Sequence, residues 1–189
     1  MRIARNIRQV LSACSVHMHQ KRRRAVADAV TALLACGRVV GASLGRAMAT
    51  RTADKHGIKR IDRLLGNTKL HGELRKTYAA LAALTVGTMR HPIVLVDWTE
   101  PGRDKCGLKA VLALQGRGVP LYSECHSIRV QGSPRIHKRF LARLADVLPP
   151  GCVPIVVTDS AFKRPWMQAV QARGWHFVTR VRGRVCARI

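Results

Sequence analysis

Acid is scarce in this 189-residue sequence: 10 Asp and Glu stand against 34 Lys and Arg, a formal net charge of +24. Such a balance points to nucleic acid as partner, because a basic surface that neutralises phosphates releases their counterions. The excess is not confined to a tail, with 18 Lys and Arg against 4 acids in residues 1–91 and 16 against 6 in residues 92–189. Both halves are therefore expected to touch the polyanion. Clustered cysteine is also missing. The six cysteines (Cys14, Cys36, Cys106, Cys125, Cys152, Cys186) form no Cys-x-x-Cys pair. Cys14-x-x-His17-x-His19 lacks the second cluster that a structural zinc site needs, so reduced thiols are expected. No run of 18 apolar residues occurs, so no membrane span is expected. Arg2, Arg5 and Arg8 precede only Val10-Leu11, which is no signal-peptide core. Ser160 has no Gly-x-Ser-x-Gly context, and the histidines show no catalytic spacing. With 47% hydrophobic residues the chain nevertheless has the material for a core and is not a disordered basic tail.

What is present is a near-repeat. Pro92-Ile93-Val94-Leu95-Val96-Asp97 returns 62 residues later as Pro154-Ile155-Val156-Val157-Thr158-Asp159. Each is a short β-branched run closed by aspartate, which reads as a strand buried on both faces of a mainly parallel sheet. In open α/β sheets chemistry gathers at the carboxyl ends of strands. Two neighbouring parallel strands would bring Asp97 and Asp159 out side by side. In so basic a chain, paired carboxylates suit divalent metal and phosphate chemistry. The plainer alternative is that each aspartate caps the loop or helix that follows.

Residues 1–88 read as helical. Residues 25–36 combine strong helix formers with an apolar stripe, and Gly37 is a fitting stop. Lys21 to Arg24 form a four-charge run, either a solvated helix end or a grip on phosphates. Ser43 is placed to cap a short helix running to Met48. In the next segment Ile58, Ile61 and Leu65 share one helical face, while Lys59, Arg60 and Arg63 fall largely on the other, and Gly66-Asn67 ends it. Two short helices with the second basic fit a helix-turn-helix-like DNA reader, or a plain amphipathic surface helix. A further helix spans residues 73–84, and residues 85–91 form the boundary.

After Asp97 a polar loop is expected over Glu100 to Asp104, then strands at 108–115 and 119–126 around Gly116-Arg117-Gly118. Ser133-Pro134 opens a helix whose buried stripe is Ile136, Phe140, Leu141, Leu144 and Leu148. The Asp159 strand, a helix at 165–173 and a strand at 175–181 follow. The order βββαβαβ is that of a ribonuclease-H-like core, in which the first strand lies beside the fourth. Trp98 and Trp166 are expected to be packing residues. Arg180 and Arg182 alternate on the last strand, either to hold DNA or to block pairing at an edge. Lys163, four residues past Asp159, either reaches a phosphate or solvates a helix start.

The segments Lys55 to Asn67, Pro92 to Trp98, Thr158 to Lys163 and 175–183 occur in the same order as in the DDE-class insertion-sequence transposases of bacteria. The chain resembles in particular their "insertion sequence four" family of cut-and-paste enzymes, over residues 25–183. The resemblance implies that Asp97 and Asp159 are the first two catalytic, metal-holding acids, with Mg²⁺ or Mn²⁺ as cofactor. It implies that the basic N-terminal part, with Lys55, Lys59, Arg60 and Arg63, binds terminal inverted repeats. It further implies target DNA as a second partner, a homodimer in a synaptic complex, and a cytoplasmic, nucleoid-associated location with no membrane partner.

One departure stands out. The family's third acid sits in a Tyr-x-x-Arg-x-x-x-Glu-x-x-x-x-x-x-Lys signature that this sequence lacks; its glutamates are Glu73, Glu100 and Glu124, all ahead of Asp159. The expectation is therefore an incomplete ribonuclease-H-like core over 92–189, truncated before the catalytic glutamate and preceded by a helical DNA-binding domain over 1–88. Such a fragment is expected to be catalytically silent or nearly so, with part of one sheet face left bare. The alternative function is an inactive DNA-binding fragment that occupies element ends and inhibits intact transposase. A weaker third reading is a metal-dependent ribonuclease or resolvase of similar topology.

Overall fold

The chain folds as two compact units, residues 1–80 and 81–189, in a computed structural model that describes residues 2–49 and 52–182. The division falls inside a helix rather than in the 85–91 stretch. Gly183 and Cys186 lie outside the described residues.

The first unit is helical: α1 (Arg2–Cys14), α2 (Gln20–Cys36), α3 (Gly41–Ala47), α4 (Asp54–Leu65) and the start of α5 (Thr68–Val86). Gly37 ends α2 in the left-handed region at φ 63°, with its N–H on the Leu33 carbonyl. Ser43 does not cap α3. The N-cap is Val40, three residues earlier, and the helix runs from Gly41. The α3–α4 crossing is a backbone contact: a Cβ on Gly57 would meet the Gly45 carbonyl oxygen at 2.1 Å. Around it Ala32, Leu44, Met48 and Ile61 form a small core.

The inward stripe of α4 is Gly57, Ile61 and the half-buried Ile58 and Leu64, whereas Leu65 is 60% exposed. Leu65 therefore does not share the buried face with Ile58 and Ile61. The helix is tilted so that position 64, not 65, meets the core. Gly66 is the C-cap of α4, while Asn67 belongs to the next helix: its Oδ1 accepts from the Leu70 N–H at 3.1 Å. That cap explains why α5 begins at Thr68, five residues before the expected start.

The second unit is a five-stranded mixed sheet in the order β3-β2-β1-β4-β5. Its strands are β1 (Ile93–Gly102), β2 (Lys105–Leu114), β3 (Arg117–Ser127), β4 (Ile155–Thr158) and β5 (His176–Thr179). The first three are antiparallel neighbours, and β1, β4 and β5 run parallel. The order is that expected of a ribonuclease-H-like domain. The β2–β3 turn is only Gln115-Gly116, with Gly116 at φ 73°. Nor is residues 100–104 a loop: β1 continues to Gly102, opposite Lys105, and only Arg103-Asp104 turn.

Helices α6 (Pro134–Val147) and α7 (Arg164–Gln171) fill the crossovers into β4 and β5. Both cover the same sheet face, since Tyr122 meets Phe140, Trp98 meets His137, and His137 in turn meets Trp166. On that face Val94, Val96, Leu108, Ala110, Leu112 and Val156 are at most 2% exposed. Phe140, Leu141 and Leu144 of α6 are fully buried, each contributing about 1.5–3 kcal/mol through removal of apolar surface from water.

The opposite face corrects an expectation. Ile93 and Leu95 are 47% and 41% exposed and Ile155 and Val157 are half-buried, so β1 and β4 are not buried on both faces. The β-branched run reports strand propensity; burial on a given face needs an element packed there, and both crossover helices lie on the other side.

Candidate active site

Register decides where the acids stand. Ile93, Val94 and Leu95 pair in parallel with Ile155, Val156 and Val157. The ladder ends there; continued two residues further, its register would bring Asp97 level with Asp159. Asp159 follows the last residue of β4, as the sequence suggests. Asp97, by contrast, does not end its strand: it pairs with Lys109 of β2, and β1 continues for five more residues. Asp97 sits where β1 parts from β4, which opens the sheet edge beside it.

The same level of the sheet carries two cations. Lys109 lies directly across from Asp97. On the far side Val157 pairs with Val178 and Thr158 with Thr179, so the next step sets Arg180 beside Asp159. The Arg180 N–H reaches the Thr158 carbonyl at 3.3 Å, which carries the pairing one residue beyond β5. Side chains alternate between faces, and Lys109, Asp97, Asp159 and Arg180 are all exposed, on the face that α6 and α7 leave open. The row reads cation, acid, acid, cation. Lys109 was legible only through the β1–β2 register, which sequence patterning does not supply.

The acids are held by local hydrogen bonds. Asp97 Oδ1 accepts from the Trp98 N–H at 2.8 Å. Asp159 Oδ1 accepts from the Ala161 N–H at 2.9 Å, and its carbonyl accepts from Thr179 Oγ1 at 3.1 Å. Asp159 thus also fixes the turn that follows it, whereas Asp97 bonds within its continuing strand, and both remain open to solvent. Lys163 is exposed at the N-cap of α7. Arg180 and Arg182 are exposed but lie past Thr179, where β5 ends, so they do not alternate along a strand. The strand stops there because its only ladder partner, β4, stops at Thr158.

Behind this level, on the covered face, lies a polar cluster that sequence reasoning missed. His137, 4% exposed, accepts at Nε2 from the Trp98 indole N–H at 3.1 Å. Burial pushes its pKa down to about 4, so the ring is neutral at pH 7. The Glu124 side chain is buried on the same face, accepting from Tyr122 Oη at 2.8 Å and Arg143 at 2.9 Å, with His126 Nε2 at 2.8 Å from its second oxygen. Burial alone would raise the Glu124 carboxyl, but the Arg143 and Tyr122 hydrogen bonds outweigh it and hold the group below its ordinary value. His137 sits in an apolar stripe of α6, a placement that gives no functional signal in the sequence.

The other singled-out residues lie in the first unit. Lys55, Lys59 and Arg63 are exposed on α4 at a spacing of four, one face of the helix. Arg60 instead bonds Asp28 of α2 at 3.1 Å. Arg60, Arg63, Lys21 and Arg22 line one cleft between α2 and α4. Arg22 is engaged there by Glu73, its Nε 2.9 Å from the carboxylate, which lowers the Glu73 pKa. Among the described residues no three His, Cys, Asp or Glu side chains converge as a ready metal cage, and no single helix is long and apolar enough to cross a membrane.

Comparison with curated proteins and with solved structures returns no match. The family model described as "Transposase DDE domain" matches residues 88–186, just over half of the chain, and the matched stretch contains both aspartates and all five strands. The chain therefore belongs to the family of transposase DDE domains.

Proposed function

We propose that this chain acts in cut-and-paste transposition of a bacterial insertion sequence, binding the element's terminal inverted repeats and cutting and joining DNA at Asp97 and Asp159. The observation that carries the reading is the parallel β1–β4 register through Leu95↔Val157, which supports bringing the two acids level within the family-matched segment. Two exposed carboxylates suit Mg²⁺, or Mn²⁺ in its place, because that ion takes one or two carboxylates and completes its shell with water and substrate phosphate. When bound, it supplies Lewis-acid stabilisation of phosphoryl oxygens and a more acidic water or hydroxyl.

The chain's own residues do the positioning. Lys109 and Arg180 flank the acid pair and balance the charge of a phosphodiester brought between them. Lys163 extends that cationic border along the turn after Asp159, and Arg182 extends it past Arg180. In the helical unit Lys55, Lys59 and Arg63 supply non-specific phosphate contacts, and Arg60 joins them when Asp28 releases it. The working form is a homodimer joining two element ends and target DNA, in the cytoplasm and on the nucleoid.

A second reading is favoured by where the glutamates lie. Glu73 is engaged by Arg22 in the helical unit, and Glu124 is buried with Arg143 on the covered face. Both are thus committed to other partners, and the remaining glutamate, Glu100, is exposed on β1 three residues past Asp97. On that reading the chain occupies element ends without cutting them and inhibits intact transposase.

Gel assays with end-sequence DNA and Mn²⁺ distinguish the two. For the transposase, Asp97→Asn and Asp159→Asn abolish cleavage, a loss of at least about 100-fold, and leave DNA affinity intact. For the binding-only protein, wild type does not cleave and Asp97→Asn leaves binding equal or tighter.

A further inference from the structure

The ladder that joins the two acid-bearing strands ends before it reaches the acids. β1 and β4 pair only through Leu95↔Val157, and beyond that level β1 follows β2 while the chain after β4 turns into α7. A pair of carboxylates that shares a ligand needs a common frame.

One side chain touches both segments. The His137 ring on α6 takes the Trp98 indole N–H at 3.1 Å, and Trp98 is the residue whose backbone N–H donates to Asp97 Oδ1. The same ring stacks on Phe162, with centroids 5.1 Å apart and planes at 25°. Phe162 closes the turn after Asp159, its N–H on the Asp159 carbonyl at 3.4 Å, next to the Ala161 N–H that holds Asp159 Oδ1. Trp166 closes the cluster, edge-on to His137 at 5.0 Å. An imidazole in an otherwise apolar stripe is costly to bury unless its polar atoms are used; here Nε2 is used on one side and the ring face on the other.

We propose that His137 is a positioning residue that holds Asp97 and Asp159 in one frame, through the Trp98 hydrogen bond on one side and the Phe162 stack on the other. The inference rests on the reading of the two aspartates as a metal-holding pair. It assigns the two halves of the imidazole to different acids, so substitutions separate them. His137→Phe keeps a ring for Phe162 and removes the acceptor for Trp98. His137→Gln keeps an acceptor at the position of Nε2 and removes the ring. His137→Ala removes both.

Amide hydrogen exchange at Trp98 and Ala161 is the test, with the core amides of Val94 and Val156 as a control for overall stability. His137→Phe is expected to speed exchange at Trp98 more than at Ala161, and His137→Gln the reverse. His137→Ala is expected to speed both beyond the control amides and to weaken Mn²⁺ binding, followed by electron paramagnetic resonance, by about tenfold. Changes at Trp98 and Ala161 that only follow Val94 and Val156, or an alanine variant that affects one amide alone, overturn the proposal. Should wild type bind no Mn²⁺, or Asp97→Asn bind it as wild type does, the metal reading fails while the exchange pattern still decides the role of His137.

Discussion

The two units solve the problem of burial in opposite ways. The helical unit has a small core of four buried residues, Ala32, Leu44, Met48 and Ile61, closed by a backbone contact at Gly45 and Gly57. Its charges stay near the surface, tied by pairs such as Arg60–Asp28 and Arg22–Glu73. The sheet unit buries large side chains, among them Phe140, Leu144, Phe162 and Trp166, and encloses a polar cluster around His137 and Glu124. Under the proposed function, a unit that displays cations to DNA needs surface more than volume. Under the same proposal, a unit that holds two carboxylates together needs a rigid support behind them, which close-packed aromatic rings provide. The difference teaches that the residues to perturb differ in kind: added atoms break the first unit, and lost atoms break the second.

The largest effect is expected in the sheet unit. Phe140 is fully buried under the sheet and against Tyr122. Phe140→Ala should destabilise that unit by about 3–5 kcal/mol, read by urea denaturation. A comparable loss from a large-to-small change at Leu44 would erase the distinction between the two cores.

Next comes acid. The folded-state pKa of His137 is about 4 against an ordinary 6.5, so between those values the unfolded chain binds the extra proton. Stability contributed by the neutral ring is therefore fully present above pH 6.5 and is lost as pH falls towards 4, by on the order of 3 kcal/mol. Melting temperature followed against pH should fall across that window in wild type and flatten in His137→Phe. Glu124, held below its ordinary value, loses its contribution at lower pH still.

A smaller effect of the opposite kind belongs to the helical unit. Gly57→Val drives a side chain into the Gly45 carbonyl, and should cost about 1–3 kcal/mol by overpacking. Hydrogen exchange should place the loss at the amides of α3 and α4 and leave those of β1 and β4 unchanged. Tolerance of valine there would mean that the crossing relaxes freely and that the first core is not set by backbone contact.

Much of this organisation was legible in the chain. The two β-branched runs closed by Asp97 and Asp159, the Ser133-Pro134 helix start and the Gly37 stop are local signals, and local signals follow from backbone sterics and periodicity. The strand order followed from the sequence of element types. What failed were inferences that needed a partner. Leu65 has the right spacing for the buried face but lies outside it, and Asn67 reads as the end of one helix while it caps the next. Glu100 looks like loop polarity, yet it lies in β1, at the irregularity between the Thr99 and Gly102 pairings with β2.

The sequence by itself determined that a basic chain carries two aspartates at equivalent ends of equivalent runs, because charge, propensity and spacing are properties of neighbouring residues. Only the tertiary structure decided which sheet face is covered, that Lys109 and Arg180 stand at the level of the acids, and that His137 joins Trp98 to Phe162. Those relations arise from register and helix placement between segments far apart in the chain, where burial and hydrogen bonding depend on the partner that arrives.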